Sequence, residues 1–357
     1  MEKLSLCVLF GGCSSEYEVS LMSVTSILNN LDREKYDIYM VGITRDGRWL
    51  LYEGEISNIR PDRWNDRRYV TPAILSPDRA DHGLLVLREG GVQRIRLDVI
   101  FPVLHGKNGE DGTVQGLFEL CGVPYVGCGV LASAVCMDKD VAYSVLTQRG
   151  IPSARSICVR EEELTHPEMV ARKLREAALS YPVFVKPANA GSSVGISKVH
   201  GEGELLPALQ LALREDGRGK AIVQEFLDGI EVECAVLGNG DPVASADVGE
   251  IEPLRELYDY EGKYCDDTTA LHIPARLPPA KAQEVREIAV RAFRAMNCQG
   301  LARVDFFVLH KDGRVVLNEL NTLPGFTDIS MYPKLFCHGG MGYGELLDRL
   351  IELALGR

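Results

Sequence analysis

The sequence predicts an α/β protein of two or three domains, opening with a parallel sheet flanked by helices. Three observations carry this. Short apolar runs closed by glycine turns alternate with stretches of helical period. A chain of 357 residues exceeds one domain at about 150 residues each. Its 46% apolar and 25% charged composition is that of a globular chain, neither disordered nor collagen-like.

The elements follow in order. Leu4–Phe10 reads as a buried strand that stops at Gly11-Gly12, a strand entering a turn rather than a signal peptide. Val24, Ile27, Leu28 and Leu31 recur at helical spacing, and Tyr36–Thr44 completes a βαβ unit. Residues 60–92 read as polar and turn-rich. Leu97–Leu104 is a strand, and a helix over 113–121 and a strand at Val123–Val126 close a parallel domain over residues 1–127. The central block, 128–226, holds a helix at Asp138–Arg149, strands at Tyr181–Lys186 and 194–199, a further helix, and a strand at Ala221–Phe226. The last block, 227–357, holds strands near 230–238 and 243–250 and a long acidic, tyrosine-rich loop at 252–270. A helix carrying Val285, Ile288, Ala289, Ala292, Phe293 and Met296 follows, then two strands and a terminal helix from Tyr343 to Ala354.

Charge and cysteine usage narrow the class. A net charge of −12 argues against a dedicated binder of nucleic acid or anionic membrane. No apolar run approaches the ~18 residues of a membrane span. The ten cysteines show no CxxC spacing, and most sit in apolar stretches such as that around Cys136, which suits a reduced, cytoplasmic protein.

Glycine is abundant, with 35 residues, and two glycine motifs mislead. Gly127-Cys128-Gly129-Val130-Leu131-Ala132 fits a dinucleotide fingerprint but lacks its acidic partner, so a turn joining two elements is the better reading. Gly191-Ser192-Ser193-Val194-Gly195 fits the hydrolase elbow, with Ser193 as nucleophile. That elbow runs from strand to helix, whereas Val194–Val199 reads as strand, so a glycine-rich hairpin is simpler.

The strongest chemical signal is Arg303-Val304-Asp305 paired with Asn318-Glu319-Leu320-Asn321. Lys311-Asp312-Gly313 is a three-residue hairpin loop with glycine at the left-handed position. With His310 opposite Arg314, Asp305 faces Glu319 and Arg303 faces Asn321, all on one face. Phe306, Val308, Val316 and Leu320 fill the other. Two facing acids repel unless a cation joins them, so Asp305, Glu319 and Asn321 read as hard ligands for Mg²⁺ shared with phosphates. Lys186 ends a strand before the glycine–serine loop, whose N–H groups and hydroxyls suit phosphate. Taken alone, Lys186 also fits a surface hairpin, Lys139 a solvated helix, and Glu231 a strand edge.

The order of these features resembles the ATP-grasp superfamily and, within it, the D-alanine–D-alanine ligases. Gly11 to Ser20 is similar to that family's N-terminal signature, as are His105-Gly106 through Thr113 and Asn318 through Phe326 to its two ligase signatures. The resemblance spans nearly the whole chain and implies a three-domain ATP-grasp fold. By resemblance, Lys139, Lys186 and Lys263 contact ATP phosphates. Gln224, Glu225 and Leu227 form the adenine hinge, with glutamine where many relatives have glutamate, and Glu231 meets the ribose. Asp305, Glu319 and Asn321 would hold two Mg²⁺ ions, or Mn²⁺. Glu16 would hold the first D-alanine's ammonium, linked through Ser192 to Tyr264 on the 252–270 lid, with His105 nearby. Ser330 and Met331 would serve the second substrate, and Arg303 with the Gly325 N–H the oxyanion. The resemblance also implies a homodimer and peptidoglycan precursor synthesis.

Relatives that use D-lactate usually carry histidine where Tyr264 stands, and the stretch from Ser330 to Pro333 offers no added basic group for D-serine. Both favour D-alanine over D-lactate or D-serine. A serine hydrolase using Ser193 and a non-catalytic nucleotide-binding module are the competing classes.

Overall fold

The computed structural model describes residues 3–191, 194–253 and 269–356. Its first sheet contains β1 (Leu4–Gly11), β2 (Tyr36–Ile43), β3 (Trp49–Tyr52), β4 (Val70–Leu75), β5 (Gly83–Arg88), β6 (Gly91–Arg96) and β7 (Val99–Val103), with α1 (Tyr17–Asn30) between the first two strands. The strand order is β6-β5-β4-β3-β2-β1-β7. β1 pairs in parallel with β2 and β7, as expected, but β2 to β6 run as an antiparallel meander. The sheet is therefore mixed, and the stretch read as turn-rich contains strands. Their signal was short: Leu84 and Val86 point into the core while Leu87 is exposed. Arg88 pairs with Gly91, leaving a tight turn at Glu89-Gly90. Val123–Val126 forms no strand, only a bridge from Tyr125 to Ile100.

Three helices follow: α2 (Thr113–Cys121), α3 (Val130–Met137) and α4 (Lys139–Gln148). Gly127 and Gly129 sit in the turn leading into α3, so the fingerprint-like motif is a connection, as expected. The second sheet holds β8 (Ser156–Arg160), β9 (Val183–Pro187), β10 (Ser197–Val199) and β11 (Lys220–Glu225), with α5 (Pro167–Glu176) and α6 (Glu202–Asp216). Its order is β10-β9-β11-β8, antiparallel throughout. The glycine loop after β9 thus joins two antiparallel strands and does not enter a helix. Ser192 and Ser193 lie outside the described residues.

The third sheet holds β12 (Gly229–Gly238), β13 (Val243–Ala244), β14 (Gly249–Pro253), β15 (Thr269–His272), β16 (Gly300–Leu309) and β17 (Val315–Asn321). Its main path is β15-β14-β12-β16-β17. Pro253 pairs with Thr269, so strand takes both ends of the expected 252–270 loop. Residues 254–268, with Lys263 and Tyr264, lie outside the described residues. The helices here are α7 (Pro279–Ala295), α8 (Met331–His338) and α9 (Tyr343–Leu355).

Cores bind the sheets together. Leu346, Leu347, Leu350 and Ile351 of α9 join Val8, Phe10 and Val24, so the terminal helix returns to the first sheet. Ala132 and Cys136 of α3 and Leu146 of α4 pack with Phe293 of α7 and Val304 of β16. This seats Lys139 beside the third sheet. Among the described residues, no helix is long and apolar enough to cross a membrane.

Candidate active site

One cleft is lined by Glu16, His105, Glu110, Lys139, Gly191, Arg303, Glu319, Asn321 and Gly325, and thus draws on all three parts of the chain. Its floor is the hairpin of β16 and β17. Asp305 pairs with Glu319 and Arg303 with Asn321, as the alternation predicts. The hairpin end differs by one residue. Leu309 donates to and sits across from Arg314, so His310 joins the loop, and Gly313 takes the left-handed turn at φ +68. A β-bulge after Asp305 absorbs the offset and leaves Asn318 as the extra residue. Val316 consequently pairs with Phe307 and packs with Leu227 and Ala154, not on the face of Phe306 as expected.

The bulged Asn318, a motif residue with no expected role, ties the cleft to α4 and β9. Its carbonyl accepts from the Tyr143 hydroxyl at 2.8 Å, and its Oδ1 from Lys186 Nζ at 3.4 Å. Lys186 is buried and also donates to Tyr143 Oη at 3.1 Å, while Tyr143 donates to Gln224 Oε1 at 3.3 Å. Burial holds the Tyr143 hydroxyl protonated well past its ordinary range. Lys186 is therefore not a snorkelling surface residue but a buried member of this network.

Two facing acids do need a cation, but here side chains supply it. Arg303 donates to Asp305 in bidentate fashion at 2.8 and 2.7 Å, and Asn321 Nδ2 donates to Asp305 at 2.9 Å. Lys139 Nζ lies 3.8 Å from Glu319 Oε2 and donates to the Ala190 carbonyl at 2.9 Å. Among the described residues, no three His, Cys, Asp or Glu side chains form a metal cage by themselves.

Glu231 lies on β12 across from Phe307, on the same sheet face as Asp305. Glu225, expected at the nucleotide hinge, turns its carboxylate to Arg155, accepting from its Nε at 2.8 Å and its backbone N–H at 2.8 Å. Its side chain is thus committed to structure, leaving the backbone for a base. Leu227 is buried in the small cluster with Val316.

The opposite wall is built from loops. Glu16 is buried at the start of α1, and its carboxylate presses against Gly106 and Gly191; a Cβ on Gly191 would lie 2.7 Å from it. His105 Nδ1 lies 3.0 Å from the Leu323 carbonyl, which fixes that nitrogen as the protonated one. Its Nε2 then accepts from Ser23 at 3.2 Å, and burial lowers its pKa, keeping the ring neutral. Glu110, a residue of the signature left without a role, accepts from the Gly106 N–H at 2.8 Å and the Leu323 N–H at 3.1 Å. Burial and the nearby Glu16 push it up to about 8. A sequence signal existed: two adjacent acids, Glu110 and Asp111, between the loop glycines Gly109 and Gly112.

At the far end, Ser330 immediately precedes α8 without capping it through its side chain; its Oγ accepts from the Thr327 N–H at 3.0 Å and lies against Gly325. Met331 departs from expectation. Its side chain is buried in the first core against Gly249, so a substrate contact is left only to its backbone.

The chain is similar to known proteins over nearly its whole length. Residues 5–128 match the family described as D-ala D-ala ligase N-terminus, and 145–352 the D-ala D-ala ligase C-terminus. A D-alanine--D-alanine ligase of Acetivibrio thermocellus is 51% identical, over 100% of this chain and 97% of that protein. One from Thermoanaerobacter sp. is 49% identical, over 99% and 97%. Among solved structures, VanG D-Ala:D-Ser ligase from Enterococcus faecalis superimposes with a TM-score of 0.89 at 41% identity, covering 99% of this chain and 100% of that one. The D-alanine-D-alanine ligase from Coxiella burnetii gives 0.87 at 38% identity, covering 100% and 95%. The fold is ATP-grasp, and the chain belongs to the D-alanine–D-alanine ligase family.

Proposed function

We propose that this chain joins two D-alanine molecules at the expense of ATP, supplying a dipeptide for peptidoglycan precursors. The observation that carries this reading is the cleft itself: Lys139 and Arg303 meet Glu16, His105 and Gly325 around one space. In the first step, a carboxylate oxygen of the first D-alanine attacks the γ-phosphorus as the bond to ADP breaks, giving an acyl phosphate. Lys139 and Lys186 hold phosphate oxygens, with Lys263 of the lid as a third cation. Glu16 holds the first ammonium, with Ser192 and Tyr264 linking it to the lid.

In the second step, the amine of the second D-alanine attacks the acyl carbon. Phosphate leaves and the amine gives up a proton. Negative charge collects on the carbonyl oxygen, where Arg303 and the Gly325 N–H are the donors. Ser330 and the backbone at Met331 receive the second carboxylate. A neutral His105 beside the first substrate adds no charge of its own.

The donor set of Asp305, Glu319 and Asn321 fits Mg²⁺ ions, or Mn²⁺, shared with the triphosphate: all three side chains carry hard oxygens on one sheet face. Bound there, the metal neutralises charge on the transferring phosphoryl group. Glu231 and the backbone of Gln224 to Leu227 take the nucleoside, and the chain works as a cytoplasmic homodimer.

The test is phosphate release with ATP and D-alanine alone, then with D-serine or D-lactate added. Release with D-alanine alone, and D-alanyl-D-alanine as the main product, is expected. Mixed product at comparable rates would instead favour the specificity named for the Enterococcus faecalis structure.

A further inference from the structure

Glu233 has no place in the chemistry above, yet it lies at the centre of the cleft's charge network. It stands on β12 directly across from Asp305, while Arg303 stands across from Ala235 on the same face. Its side chain is 5% exposed and that of Asp305 4%, against 25% for Glu319, so both carboxylates lie deeper than Glu319. Its Oε2 is 3.1 Å from Arg303 Nε, and that same Nε donates to Asp305 Oδ1 at 2.8 Å. One guanidinium nitrogen is thus shared between two equally buried carboxylates, while an outer nitrogen of the guanidinium reaches Asp305 at 2.7 Å.

This arrangement sets two demands against each other. Asp305 cannot serve a divalent cation fully while it accepts two hydrogen bonds from Arg303. Arg303 cannot aim at a developing oxyanion while both its bonds run to Asp305. We infer that Glu233 is the positioning residue that resolves this conflict: it retains Arg303 by Nε when Asp305 turns to the cation, freeing the outer guanidinium edge for the oxyanion. Arg303 then keeps a carboxylate partner when Asp305 turns away. With a neutral residue at 233, Arg303 and the metal would compete more strongly for Asp305. The inference rests on the roles proposed above for Arg303 and Asp305.

The experiment compares wild type, Glu233→Gln, Arg303→Lys and the double variant. For Glu233→Gln, kcat should fall about tenfold, less than the ~10²-fold or more for loss of an oxyanion donor. KM for ATP should stay within about twofold, because uniform binding is untouched. Mn²⁺ binding in the presence of ADP, followed by the metal's water relaxation and independent of turnover, should weaken by about threefold or more as Arg303 holds Asp305. In the Arg303→Lys background, which keeps charge but loses the Nε, Glu233→Gln should produce no further fall in kcat.

Equal losses in both backgrounds, or a lowered melting temperature with unchanged kcat and Mn²⁺ affinity, would overturn the inference. If Glu233→Gln does not fold, Glu233→Asp keeps the charge at shorter reach and should show the same direction in both readouts; no change in either sinks the idea. Should Arg303→Lys itself leave kcat untouched, the role given to Arg303 fails first, and the two failures are told apart.

Discussion

The two ends of the cleft solve the problem of buried charge in opposite ways. On the nucleotide side, Lys139 and Arg303 sit against Glu319, Asp305 and Glu233, so each charge already has a partner to exchange. On the substrate side, Glu110 and His105 are held by the Gly106 and Leu323 backbone and by Ser23, and burial favours the neutral form of both. A triphosphate with its metal brings opposite charges in equal measure, and a pre-paired network can receive both by swapping partners. A zwitterionic amino acid needs one fixed anion, and neutral neighbours leave that part to Glu16. The difference teaches that buried polar groups are held by ion pairs at one end and by backbone bonds and desolvation at the other.

The largest expected effect lies on the ion-paired side. Arg303→Ala removes the oxyanion donor and strands Asp305 and Glu233 together without a cation. We expect kcat to fall by ~10²–10³, with KM for ATP changed far less, in steady-state phosphate release. A KM-only effect would mean that Arg303 binds the ground state, and the contrast between the two ends would lose its catalytic meaning.

Next in size is the pH response of the desolvated side. Glu110 is raised in the folded state to about 8 from an ordinary carboxyl value of 4.5. The folded protein therefore holds a proton that the unfolded chain has released. Its contribution to stability is complete below about pH 4.5 and is lost as pH rises toward 8. Glu110→Gln removes that titration but loses one backbone N–H bond at every pH. The stability difference between wild type and variant should therefore move in the variant's favour by on the order of 3–4 kcal/mol between pH 5 and pH 8. Chemical denaturation across that range measures it. A pH-independent difference would show Glu110 ionised and would erase the distinction between the two ends.

These two sides were also unequally legible in the sequence. Period-2 alternation places Arg303, Asp305, Glu319 and Asn321 on one face whatever the loop does, because a strand face is a local property. The bulge at Asn318 was not visible, since it answers to Tyr143 and Lys186, more than a hundred residues earlier in the chain. The loop side was legible only as glycine. That Gly106 and Gly191 are small because Glu16 lies against both depends on three distant segments meeting. The antiparallel meander from β3 to β6 escaped for a different reason. Its strands are four to six residues long, and Leu84 to Leu87 is apolar on both faces, so alternation is hidden. The inward turn of the Met331 side chain was not legible, because a helix N-terminus exposes backbone while its first side chain can still pack inside.

The smallest expected effect tests where the ion-paired side ends. Arg155 clamps Glu225 and also donates to the Ala178 carbonyl at 2.8 Å, but its side chain is 54% exposed. Solvent screening makes such a pair worth little, so Arg155→Ala should lower stability by roughly 1 kcal/mol. Because the Glu225 carboxylate faces Arg155, KM for ATP should change by less than about threefold; a backbone hinge keeps its N–H and carbonyl groups whatever the side chain does. Thermal unfolding and ATP-dependent kinetics on the same preparation separate the two. If KM instead rises tenfold at unchanged stability, the Arg155–Glu225 pair shapes the nucleotide pocket. The exchangeable charge network would then extend from the floor of β16 and β17 to the edge of β11.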